Sequence, residues 1–122
     1  MSALALWGGV AVLGGLGAVA RYLVSTTVAR RSAGWFPTGT LAVNLSGSAL
    51  LGLLVGVALH GDALALAGGG LLGSYTTFST WMRDSDRLAE HHSGRALAVN
   101  LLGSLMLGLV AVALGRVLGR AL

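Results

Sequence analysis

An all-α integral membrane protein of four transmembrane helices, the third broken near its middle, is the fold class that this sequence predicts. Three observations predict it. Of 122 residues, 55% are hydrophobic and only 10% are charged, a balance outside the ordinary soluble range. The charges other than Arg21 fall in loops and ends, leaving uncharged runs near the ~20 residues that a helix needs to cross the ~30 Å hydrocarbon core. Inside the third run, Gly68, Gly69, Gly70 and Gly73 precede Ser74, Tyr75, Thr76, Thr77, Ser79 and Thr80. Glycine costs about 1 kcal/mol relative to alanine in a helix interior, and in lipid each freed backbone group needs a protein, water or ion partner.

The approximate spans are 3–28, 38–59, 63–82 and 95–116, all in one domain covering residues 1–122. In the first, the run from Ser2 to Ala20 meets Arg21 and continues uncharged to Ala29. Pro37, the only proline, stands before Thr38 and suits the start of the second helix. The third runs from Ala63 to Met82, with its break expected at Gly70, Gly73 and Thr77. The fourth is uncharged from Ala96 to Gly115. Between the third and fourth, Arg83, Asp84, Asp86, Arg87, Glu90, His91 and His92 predict a solvated loop or a surface helix. The N-terminus lacks a charged n-region and its apolar run is long, so no cleaved signal peptide is expected.

An internal repeat underlies these elements. The segment Leu41-Ala-Val-Asn44-Leu-Ser-Gly47-Ser48 recurs as Leu97-Ala-Val-Asn100-Leu-Leu-Gly103-Ser104. The same offset aligns Gly14, Gly17 and Tyr22 with Gly70, Gly73 and Phe78. Duplicated two-helix units with an even number of spans each are parallel repeats.

Several function classes fall away. The net charge of +4 is spread over loops and ends without a basic face, so no nucleic-acid partner is expected. There is no cysteine, hence no disulfide, thiolate site or Cys nucleophile. No nucleophile–base pair can be assembled within the spans, so the chain does not read as an enzyme. A small multidrug-type antiporter needs an intramembrane carboxylate to exchange proton for cation. None of Asp62, Asp84, Asp86 or Glu90 lies inside an uncharged span, which disfavours that class. His60, His91 and His92 sit in connections, and neighbouring His91 and His92 point in different directions, a poor metal pair.

The remaining candidates have two readings each. Asn44, Ser48, Gly52 and Gly56 share one helix face, as do Asn100, Ser104 and Gly108. Such faces serve either helix packing or a polar pore lining. Arg21 is either a snorkelling arginine or a fixed charge at a water-filled vestibule. Phe78 and Trp81, spaced i, i+3, are either core packing or ring edges turned toward a desolvated anion.

Gly73-x-x-Thr76-Thr77-Phe78-Ser79-Thr80 closely resembles the third-helix signature of the Fluc/CrcB family of small fluoride channels. Gly14-x-x-Gly17-Ala18-x-x-Arg21-Tyr22 and Gly39-Thr40-Leu41-x-Val43-Asn44-x-x-Gly47-Ser48 resemble its first- and second-helix motifs. The likeness covers the whole chain in order. It implies an antiparallel dual-topology dimer with two fluoride pores at the subunit interface. It also implies a structural sodium ion at the dimer centre, held by backbone carbonyls at the positions of Gly73 and Thr76. By the same resemblance Asn44, Phe78 and the position of Trp81 line the pore, Thr40 and Ser104 lie beside it, and Arg21 lies near the vestibule. Tryptophan at position 81 departs from the family's phenylalanine.

The flanking arginines divide unevenly. Arg30, Arg31, Arg83, Arg87 and Arg95 fall on one side, Arg116 and Arg120 on the other. That bias favours the first and third loops in the cytoplasm, whereas a dual-topology homodimer should be nearly balanced. The expected protein is a passive fluoride channel of the bacterial inner membrane, homodimeric, with a heterodimer of oppositely oriented paralogues as the alternative. A non-conducting or partner-dependent subunit is the second functional expectation.

Overall fold

The structure, a computed structural model, describes all residues from Met1 to Leu122. Helix α1 is Ala3–Arg31 and α2 is Thr38–Gly56. Helix α3 covers residues 61–75, in which Ala65–Leu72 is π-helical. Helix α4 is Ser79–His91. Helix α5 is Gly94–Ala121, with a π-helical stretch at Val99–Gly103.

Local chemistry sets most of these ends. Ser2 accepts the Ala5 N–H at 3.2 Å and opens α1, while Arg30 and Arg31 sit in its last turn, where the helix dipole favours cations. Pro37 precedes α2 as expected. The second span closes at Gly56, earlier than predicted, because Ala58 takes a left-handed φ of 61° and turns the chain toward α3. Ser93 accepts the Ala96 N–H at 3.1 Å and caps α5.

Three helices, α1, α2 and α5, are long and apolar enough to cross a membrane. The third predicted span, 63–82, is not a single helix. At about 1.5 Å per residue, the fifteen residues of α3 fall short of the hydrocarbon core. The chain leaves helical geometry at Thr76 and resumes as α4, which carries the charged connection as a helix rather than a loop.

Only 16 of 122 residues are buried, and Leu4, Trp7, Leu102, Leu114 and Leu118 are among the large apolar side chains left outside. Lipid-facing surface accounts for that exterior, so close packing of helices must supply the cohesion. Between α2 and α5 it does. A Cβ on Gly52 would collide with the Val112 carbonyl, and one on Gly115 with the Ala49 carbonyl. The backbones touch directly at these two positions. Contacts advance together along both chains, from Ala49–Gly115 to Leu53–Gly119, so α2 and α5 run parallel. Helices α1 and α3 are also parallel, from Gly9 beside Leu66 to Gly17 beside Ser74. That pairing is the one a parallel two-helix repeat requires.

Candidate functional site

The break between α3 and α4 centres the site. Thr76 is extended (φ −79°, ψ 160°), so the α3 ladder stops there. Its last bond is Thr76 N–H to the Leu72 carbonyl at 3.0 Å. The next four carbonyls, of Gly73, Ser74, Tyr75 and Thr76, accept no hydrogen bond from the chain beyond the helix. These are the orphan acceptors that any helix leaves at its C-terminus. The glycines expected to break the helix do not. Gly70 lies within the π-helical stretch against Val10, and Gly73 continues the helix. Of the three expected positions Thr77 alone lies in the break, which runs from Thr76 to Phe78, where hydroxyl side chains compete for backbone groups.

Asn44 of α2 clamps that break. Its Oδ1 accepts the Thr77 N–H at 2.8 Å and its Nδ2 donates to the Thr77 carbonyl at 2.9 Å. The amide thus replaces both bonds that a continuing helix would have made. Thr77 itself is buried. Its Oγ1 accepts the Thr80 N–H at 3.2 Å and donates to Thr80 Oγ1 at 3.1 Å, which caps α4. Gly47 leaves space beside the break, since a Cβ there would meet the Thr76 methyl.

From this clamp a two-lobed groove opens. One lobe, of about 280 Å³, is lined by Asn44, Ser48, Gly73, Thr76, Thr77, Phe78 and Trp81 among others. The other, of about 240 Å³, is lined by Asn44, Ser48, Trp81, Ser104 and Gly108 with Leu105, Leu109 and Val112. Neither lobe carries a charged side chain. Phe78 and Trp81 meet edge-on at 5.8 Å and 77°. Phe78 is 68% exposed, so much of its ring stays open on the groove's outer side.

Trp81 is held from behind. Its Nε1–H donates to the Asn100 carbonyl at 3.3 Å, within the π-helical stretch of α5. Asn100 is 1% exposed; its Nδ2 donates to Ser85 Oγ at 2.9 Å and its Oδ1 accepts from Ser104 Oγ at 3.3 Å. Ser85 Oγ in turn donates to the Trp81 carbonyl at 2.8 Å. The two repeat asparagines therefore differ in use. Asn44 fixes the break, and Asn100 fixes α4 and the indole.

Asn44 and Trp81 line both lobes of the groove, Phe78 lines the first and Ser104 the second. Thr40 lies elsewhere, in a polar cavity of about 530 Å³, where its Oγ1 donates to Asp84 Oδ2 at 2.7 Å. Arg83, Arg87, His91 and His92 line the same cavity. Arg21, half-buried on α1, lines neither the groove nor this cavity. One residue, Asp84, was missed, and Ser48 was left open between packing and pore lining. Ser48 lines both lobes and was signalled by its i+4 spacing from Asn44. Asp84 reaches a helix-packing site although the sequence places it among solvated charges. The stripe on α2 divides accordingly, with Asn44 and Ser48 facing the groove and Gly52 and Gly56 packing on α5. The His, Asp and Glu side chains form no metal-binding cluster.

Fold and site define a small multi-pass membrane protein, built round a helix broken at Thr76 to Phe78 and an uncharged polar and aromatic groove. Residues 9–116 match the family described as CrcB-like protein, Camphor Resistance (CrcB). The Fluoride-specific ion channel FluC 2 of Mycobacterium tuberculosis is 52% identical over 112 residues, covering 92% of this chain and 89% of that protein. FluC 2 of Mycolicibacterium paratuberculosis is 49% identical over 120 residues, 98% of each chain. FluC 1 of Symbiobacterium thermophilum is 44% identical over 119 residues, 93% of this chain and 96% of that one. The chain belongs to the CrcB/FluC family of membrane channels and is not an enzyme.

Proposed function

We propose that the protein is a fluoride-selective passive channel that lets fluoride leave a bacterial cell across its inner membrane, down the electrochemical gradient. The observation that carries this reading is the uncharged groove in which Asn44, Ser48 and Ser104 face Phe78 and Trp81. Fluoride must exchange its hydration shell for hydrogen-bond donors without meeting a charge that would hold it. Asn44 has one amide hydrogen left after the Thr77 bond, and Ser48 and Ser104 carry hydroxyls. The positive ring edge of Phe78 adds a weaker attraction, and release stays fast because no cationic side chain lines the groove. Arg21, with Arg83 and Arg87 beside Thr40, raises the local anion concentration at the ends.

Two copies in antiparallel orientation complete the path. The groove is open on one side and Phe78 faces outward, so a second subunit supplies the missing wall. The donor set also suits a sodium ion at the dimer centre. The carbonyls of Gly73 and Thr76 are unpartnered, hard oxygen ligands at the negative end of α3. Such an ion would neutralise these carbonyls where neither water nor lipid can.

The test is fluoride efflux from proteoliposomes containing only this purified chain, with chloride efflux alongside. Fast fluoride efflux without chloride is expected. Silence from well-folded protein would overturn the self-sufficient homodimer in favour of a subunit that needs a separately encoded partner. Exchanging sodium for a large organic cation is expected to lower the melting temperature of the dimer; no change would overturn the sodium site.

A further inference from the structure

We propose that the niche where the α1–α2 loop meets the start of α5 binds the phosphate head of an anionic membrane phospholipid. The niche, of about 520 Å³, is lined by Trp35, His91, His92, Ser93, Arg95 and Val99, with Ala96 at its floor. It lies apart from the groove and shares no residue with either lobe.

Three features point to a lipid headgroup. The first is position. The niche sits at the end of the bundle where α1 finishes with Arg30 and Arg31 and α5 begins with Arg95. Trp35 is 46% exposed there and packs on Phe36 and His92, with ring centroids 5.5 and 5.9 Å away. Half-exposed tryptophan is characteristic of the membrane–water boundary.

The second feature is charge. Glu90 Oε2 lies 3.8 Å from His91 Nε2, and Asp62 pairs with the N-terminus. Arg95 therefore has no carboxylate partner. A guanidinium binds phosphate through two parallel N–H donors, and Ser93 Oγ, which accepts the Ala96 N–H, retains its own hydrogen to donate.

The third is the surface below. Along α5, Arg95 is followed by the apolar side chains of Val99, Leu102 and Met106. Val99, Leu102 and Met106 are 45%, 62% and 55% exposed. A charged head position thus adjoins exposed apolar side chains farther along α5. A soluble anion uses only the upper part of that arrangement, whereas a phospholipid uses all of it. Basic pockets between transmembrane helices bind anionic headgroups on these terms.

Native mass spectrometry of the purified protein, given equimolar phosphatidylglycerol and phosphatidylcholine, tests the proposal without reference to ion conduction. Wild type is expected to retain phosphatidylglycerol in preference. Arg95→Gln is expected to reduce that preference about fivefold, the effect of one arginine near an anionic surface. Trp35→Leu is expected to weaken retention of both lipids. Arg120→Gln, at the opposite end, is expected to leave the preference intact, and all three variants, at exposed sites, keep their helicity by circular dichroism. Equal retention of the two lipids by wild type would overturn the proposal. So would equal effects of Arg95→Gln and Arg120→Gln, or complete displacement of phosphatidylglycerol by inorganic phosphate.

Discussion

Replacing Asn44 by alanine should open the break between α3 and α4. The substitution removes both bonds to Thr77, at 2.8 and 2.9 Å, and offers nothing in return. Interhelical hydrogen bonds in membrane proteins average about 0.6 kcal/mol each, which sets a floor near 1.2 kcal/mol for the pair. That average includes partners that can turn to water or to one another. Thr77 is 8% exposed, and its N–H and carbonyl have no alternative acceptor or donor in the chain. A buried polar group left unpaired costs about 1–3 kcal/mol, so the two together give at least about 2 kcal/mol. An opening of that size raises the population of the released break about 30-fold. Hydrogen exchange of the peptide spanning residues 73–80 reads it directly, and thermal melting in detergent gives a second measure. Asn44→Asp keeps an acceptor for the Thr77 N–H but sets an oxygen against the Thr77 carbonyl, so it should recover no more than half of the loss. Unchanged exchange in Asn44→Ala would refute the clamp, whatever the variant did to fluoride flux.

Two further substitutions probe what lies around the clamp. Trp81→Phe keeps the edge-on contact with Phe78 but loses the bond from Nε1 to the Asn100 carbonyl. It should cost about 0.5–1.5 kcal/mol in chemical denaturation while fluoride efflux persists, and abolished efflux in a stable variant would show that the indole N–H itself belongs to the path. Gly115→Ala and Gly15→Ala should differ in sign. The first drives a methyl into the Ala49 carbonyl, for about 1–3 kcal/mol of overpacking, and the second faces open space and gains about 1 kcal/mol of helix propensity. Melting shifts of the same sign in both would contradict direct backbone contact between α2 and α5.

What could be read in the sequence was what local chemistry controls. Pro37 before Thr38, the uncharged runs of α1, α2 and α5, and the asparagine repeat all carry one-dimensional signals that the fold reproduces. The exact place of the break was less legible. Thr77 marked it, but glycine count also pointed to Gly70 and Gly73, and a helix can accommodate weak formers by widening to i→i+5 bonding, as Ala65–Leu72 does. A sharper departure needs an outside group to take over the bonds, and Asn44 lies 33 residues away. The bond between Thr40 and Asp84 escaped for the same reason, since a charge on an exposed-looking helix gives no local hint of its partner on α2. Ser48 was legible from spacing, because a residue one turn from Asn44 must share its face.

The two repeats show why a break arises in one copy and not in the other. At the shared offset, Ser74, Tyr75, Thr76, Thr77 and Phe78 of α3 align with Ala18, Val19, Ala20, Arg21 and Tyr22 of α1. Helix α1 passes through its segment unbroken, because Ala18 and Ala20 offer the backbone no competing hydrogen bond. The α3 segment places four hydroxyl side chains in the same five positions. Two of them, on Ser74 and Thr76, bond back to the Gly70 and Leu72 carbonyls and draw acceptors from the ladder. Breaking the helix still strands backbone groups in a place without water, so the change is tolerable only beside a residue that can satisfy both sides of a peptide unit. Asparagine is the short side chain that carries a donor and an acceptor together, and Asn44 stands at that place. Asn100 faces no such break in the first repeat, and its amide is directed to Ser85 and Ser104 instead. The duplicated asparagine thus supplied the means for one broken helix and one anchored aromatic, and the groove lies between them.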